Sequence, residues 1–114
     1  MNTPQSHNKP HKKMVQFEEN EIVYCYECKL YHIHYETLSI DLSLKGLFSM
    51  MENLEEHILT CGGIYADDKR WMEIVAPGSH IRLYFSMNDC RILAGMIVDC
   101  INIIKNQAPQ GRWN

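Results

Sequence analysis

The chain has 114 residues, 46% of them apolar and 22% charged, with a formal net charge of −3. That is the makeup of one small globular domain rather than of a disordered or fibrous chain. The charge is uneven: residues 1–16 carry Lys9, Lys12 and Lys13 and no acid, whereas residues 17–106 hold all 14 acids. Such a body lacks the basic face that phosphate contact requires, so no nucleic-acid partner is expected.

The elements follow in chain order. Residues 1–18 are polar and basic with two prolines, and read as a disordered tail before a single domain over 19–106. Glu21–Tyr26, rich in β-branched and aromatic types, predicts a first strand, and Cys25-Tyr26-Glu27-Cys28 a tight turn. From 30 to 36, Tyr31, Ile33 and Tyr35 alternate with His32 and His34, which predicts a two-faced strand. If the turn centres on 27–28, Val23 faces His32, and Cys25 shares that side with His32 and His34. Leu38, Ile40 and Leu42 alternate with Ser39 and Asp41 in a third strand.

Ser43 is a good helix N-cap, and Leu44, Leu47, Met51, Leu54 and Ile58 recur at three- and four-residue spacing behind it. Gly46 weakens that helix by ~1 kcal/mol relative to alanine, and Gly62-Gly63 stops it. Strands are expected over 70–77 and 81–86. Ser86 with Asp89 then approximates a capping box, opening a second helix with apolar residues at 87, 90, 94, 97, 101 and 104. Residues 107–114 read as a flexible tail.

A shift of 43 residues lays Leu38, Ile40 and Leu42 on Ile81, Leu83 and Phe85, Ser43 on Ser86, and one helical stripe on the other. The expected fold is therefore α+β. It is a two-layer sandwich of about five mainly antiparallel strands with two helices on one face, a β-β-α unit used twice. The uncovered sheet face would carry Val23, Cys25, His32, His34, Ser39, Asp41, Arg82 and Tyr84.

The amino end has no apolar run behind a positive start, and no stretch approaches the ~20 apolar residues of a membrane span. A cytoplasmic chain with no membrane association is expected, and its five cysteines are then reduced thiols. Cys90 and Cys100 fall on the apolar stripe of the second helix and read as core.

Cys25-x-x-Cys28 is the one chemically pointed motif. A tight turn can aim two thiols at one metal ion, and a structural zinc site normally closes with four nitrogen or sulfur ligands. Cys25, Cys28, His32 and His34 form the candidate set, with zinc the possible cofactor. His57 and Cys61 would lie about 20 Å away at the far end of a helix rising ~1.5 Å per residue. His7 and His11 are further donors on the tail, with no fixed position. Two other readings of the pair stay open: ordinary reduced cysteines in a turn, or a thiol-redox pair. The redox reading lacks the helix start that lowers a thiol pKa in such motifs. No phosphate loop, nucleophile elbow, HExxH or paired-carboxylate motif occurs, so no catalytic residue is assigned.

YCYECKLYHIHYETLSIDLS followed by a helix and a second strand–helix unit resembles a group of short uncharacterised bacterial proteins. They share a strand–CxxC–strand start and two strand–helix repeats. The likeness spans residues 22–104, and Cys25 and Cys28 match its CxxC. Tyr35-Glu36-Thr37 stands where that group carries a glycine-containing turn. The group is defined by unknown function, so the resemblance implies a fold and a bacterial, cytosolic origin without an activity. The functional expectation is a non-enzymatic binding or regulatory module acting through a protein surface, as a homodimer, with a zinc-organised protein or a thiol-redox protein as alternatives.

Overall fold

The computed structural model describes residues 11–61, 71–75 and 82–107, with the backbone alone for 61 and 71–75. The described residues form eight elements in succession. They are β1 (His11–Phe17), β2 (Asn20–Cys25), β3 (Leu30–Tyr35), β4 (Leu38–Leu42), α1 (Leu44–Cys61), β5 (Trp71–Val75), β6 (Arg82–Ser86) and α2 (Met87–Gln107). The α+β architecture expected from the periodicities is present. Among the described residues, six strands form two sheets, a four-stranded antiparallel meander β1-β2-β3-β4 and an antiparallel pair β5-β6.

β1 corrects the sequence reading. Residues 11–17, taken as part of the disordered tail, form an edge strand. HKKMVQF has little apolar periodicity, so pairing with β2 decides its state. His11 faces Cys25, Lys13 faces Val23 and Val15 faces Ile22, and the register shifts between Lys13 and Val15. That bulge turns Met14 into the core. The expectations for residues 1–10 and 108–114 and for the Gly62-Gly63 stop lie outside the described residues.

Tight connections join the meander, and each contains one residue in the left-handed region: Glu18 (φ 55), Lys29 (φ 61) and Glu36 (φ 55). None is glycine, so each costs about 1–2 kcal/mol that the pairing must offset. At the third turn the Glu36 N–H donates to the Asn20 side-chain oxygen at 2.8 Å. This bond accounts for the burial of Asn20, a polar side chain only 5% exposed.

One face of the meander is apolar. Ile22, Tyr31, Ile33, Tyr35, Ile40 and Leu42 meet both helices in a single core. α1 lies against β3 and β4, α2 against β1 and β2, and the helices touch each other. The β5–β6 hairpin joins through α1 and α2 and through an edge-to-face contact of Phe85 with Tyr35. Leu47, Met50 and Leu54 are the fully buried stripe of α1, while Met51 is only half-buried. The contact line thus runs one residue from the spacing that favoured Met51. Each such burial stabilises the fold by about 1.5–3 kcal/mol. Cys90 and Cys100 are fully buried in α2.

Both helix starts are capped as their residues suggest. Ser43 Oγ accepts the Gly46 N–H at 3.1 Å. A Cβ on Gly46 would come 3.2 Å from Leu42 Cδ2, so the glycine lets α1 turn sharply off β4. Ser86 Oγ accepts the Asp89 N–H at 3.0 Å, and Asp89 Oδ2 accepts the Ser86 N–H at 3.4 Å, a reciprocal box. Asp89 also accepts the Tyr35 hydroxyl proton across 2.5 Å, tying sheet to helix.

Candidate metal centre

The opposite face of the meander is polar. Alternation places on it His11, Lys13 and Gln16 of β1, Glu21, Val23 and Cys25 of β2, His32 and His34 of β3, and Ser39 and Asp41 of β4. The β2–β3 register has Val23 opposite His32, as the turn-centred pairing predicts. At the end of this face nearest the CxxC turn, one ligand atom each of His11, Cys25 and His32 lies within 4.8 Å of the others.

The turn positions the sulfurs. The Lys29 N–H donates to the Cys25 carbonyl at 2.8 Å, and Lys29 closes the loop in the left-handed region. The Cys28 N–H then points at Cys25 Sγ, 3.3 Å away. Cys28 Sγ is 3.6 Å from His32 Nε2. Bonds of ~2.1 Å to nitrogen and ~2.3 Å to sulfur give a tetrahedral site edges of roughly 3.3–3.8 Å. The Cys28–His32 separation already has that length, and the His11, Cys25 and His32 ligand atoms, within 4.8 Å of one another, need to draw in by no more than about 1.5 Å to reach it.

Asp41 prepares His32. Its Oδ1 is 2.7 Å from His32 Nδ1, and a carboxylate only accepts, so Nδ1 carries the proton and Nε2 offers its lone pair toward the cysteines. Burial alone would lower the His32 pKa, but the hydrogen bonds to Asp41 and Cys25 outweigh it and raise the value. The Cys28 backbone N–H, followed by the Cys28 side chain, draws the Cys25 thiol down to about 6 against the pull of burial. Cys28, hydrogen-bonded to that sulfur, moves the other way. Cys25 is 1% exposed although it sits on the outer face, so the site has a dry sulfur at its base and an open one, Cys28, at its rim.

Of the four residues predicted as ligands, Cys25 and His32 are gathered with His11, and Cys28 Sγ, outside that group, reaches His32. His34 stands apart. It sits two residues, about 6.6 Å, farther along β3, paired with Glu21 and Ser39, and its Nδ1 is 3.5 Å from Ser39 Oγ. His11 takes its place, its ring 6.2 Å from that of His32 in an edge contact. The sequence named His11 only as a donor on a tail, because nothing in HKKMVQF alone shows that it pairs with β2. His57, on α1, is not among the gathered residues.

Two sulfurs and two nitrogens around one point suit a borderline-soft ion of tetrahedral preference, zinc above all. Cys28, His32 and Asp41 also line up as thiol, base and orienting carboxylate. The cavities between α1 and α2, at the β1–β2 and β3–β4 turns, and between β1 and α2 are lined by other residues. No helix of the described residues is long and apolar enough to cross a membrane. No family model matches the chain, and no curated protein or solved structure matches it.

Proposed function

We propose that this protein is a zinc-binding module, its ion held by Cys25, Cys28, His32 and His11 and oriented through Asp41. The observation that carries this reading is the gathering of His11, Cys25 and His32 ligand atoms within 4.8 Å, with the Cys28 sulfur 3.6 Å from His32. The carboxylate on the far nitrogen of His32 strengthens it, since metal-bound histidines almost always donate their other N–H to such a group. Zinc here is structural: all four positions are protein ligands, which leaves none for water or substrate. The site needs reduced thiols, in keeping with a cytoplasmic setting.

Metal analysis of the full chain, purified without chelator and dialysed against trace zinc, tests the reading. About one equivalent is expected. Less than a tenth of an equivalent dismisses it.

The second reading, a surface-acting module working as a homodimer, is expected from an uncovered sheet face and takes its support here from a different observation. Ile58 and Leu59 of α1 and Ala94, Gly95 and Val98 of α2 line an apolar groove, and Leu59 is 85% exposed. A dimer by light scattering at micromolar concentration, lost in Leu59→Glu, is the outcome this second reading requires.

A further inference from the structure

The zinc site draws its ligands from two parts of the chain that the fold holds with unequal strength. Cys25, Cys28 and His32 belong to one hairpin whose strands β2 and β3 are interior to the meander. His11 is on β1, the edge strand. β1 is itself divided by its bulge. The half nearest the β1–β2 turn is anchored: Met14 is buried, Val15 packs on the core, and Val15 and Phe17 share a cleft with Ile92 and Met96 of α2.

Among the described residues, the far half, His11–Lys13, has no comparable hold. His11 and Lys13 are exposed. Lys13 makes a 3.5 Å ion pair with Glu21, with 53% and 30% of the two side chains exposed, and such pairs contribute little. The Lys13 ammonium also donates to Gln16 at 2.7 Å, a bond within the same strand. His11 contacts the rest of the sheet through its edge-on approach to His32 and its pairing with Cys25.

We infer that the metal is a latch for this edge: zinc held by Cys25, Cys28 and His32 captures His11 and clamps the far half of β1 onto β2, and without the ion that half frays and uncovers the edge of β2. The inference rests on the zinc reading above and adds its consequence for the fold. Zinc then controls whether the first strand continues the sheet past its bulge, so metal occupancy is read out as the state of a strand edge.

Lys12 and Lys13 lie inside the latched half and supply trypsin sites. Full-length protein, metal-free or saturated with zinc, is digested under limiting trypsin. Cleavage after Lys12 and Lys13 is followed by mass spectrometry against cleavage after Lys45 in α1, which reports unfolding of the whole domain, and zinc content is measured in the same samples. Zinc is expected to slow the β1 cleavages about tenfold or more relative to Lys45, since proteolysis follows the population of the opened segment. His11→Ala, with zinc still held by the remaining three ligands at saturating metal, is expected to cut like the metal-free chain. One equivalent of zinc bound with no change in the relative rate, or full protection in His11→Ala, overturns the latch while leaving the site intact. Absence of bound zinc overturns the site, and the latch with it; the metal measurement tells the two failures apart.

Discussion

His32 and Asp41 sit opposite each other on β3 and β4 with Nδ1 and Oδ1 2.7 Å apart, and this pairing turns the other imidazole nitrogen toward the CxxC turn. The contact exists because both residues occupy outward positions of alternating strands that pair in register. It places a fixed, proton-bearing carboxylate–imidazole unit beside two sulfurs.

Asp41→Asn is expected to weaken zinc binding about 10–100-fold, the usual effect of losing such a partner, measured by competition with a chromophoric chelator. In the metal-free protein the same change lowers the His32 pKa, because Asp41 is the main group raising it against burial. A raised histidine pKa adds stability that is fully present below the unfolded value and lost as pH rises through the folded one. Asp41→Asn therefore costs metal-free stability on the acid side of that window and little above it. Proton NMR titration of His32 checks the direction, and an unshifted histidine would refute the pairing.

Cobalt substitution reads the ligand set. Cys25→Ser, Cys28→Ser and His32→Ala are each expected to reduce affinity by at least about 100-fold, since the ion's binding energy is shared over few ligands. The two cysteine changes also weaken the thiolate-to-cobalt absorption. His34→Ala is the control and leaves spectrum and affinity unchanged. A loss in His34→Ala equal to that in His32→Ala would return the site to the ligand set read from the sequence.

Tyr35→Phe removes the hydroxyl that donates to Asp89 and is expected to lower stability by about 1.5–3 kcal/mol, the range for hydrogen bonds to charged groups. The denaturant midpoint falls with an unchanged slope. Burial first, then Asp89, raises the Tyr35 pKa, and burial pushes Tyr31 up to about 12. Stability from their protonated forms is present below the unfolded value near ~10 and declines as pH rises above it. Tyr35→Phe flattens that alkaline decline.

Glu36→Gly is expected to stabilise the protein by about 0.5–1 kcal/mol. Glu36 has φ 55, and relief of left-handed strain exceeds the extra entropy glycine brings to the unfolded chain. Thermal unfolding measures it. Destabilisation would show that the Glu36 side chain contributes more than its backbone costs.

Much of the sheet was legible because its signals are local. The alternation of Tyr31, Ile33 and Tyr35 with His32 and His34 identifies β3 and its two faces, and the spacing from Cys25 to Cys28 centres the hairpin, so Val23 opposite His32 follows by counting. Ser43 and Ser86 mark both helix starts, because a capping oxygen acts within three residues. His11 was not legible as a ligand. Its strand owes its state to a partner across the β1–β2 turn, with a bulge at Met14 that breaks the count. The exclusion of His34 was equally hidden: it shares a face with His32, and only the strand rise separates the two.

By itself the sequence determined the α+β class, the apolar and polar faces of β3 and β4, the helix caps and the Cys25–Cys28 pair, all products of side-chain periodicity and short-range hydrogen bonding. Tertiary structure alone decided that residues 11–17 join the sheet, that the strands divide into four and two, and that His11 stands beside Cys25 and His32. Those outcomes depend on which backbone pairs with which, and contacts between segments far apart in the chain leave no local pattern to read.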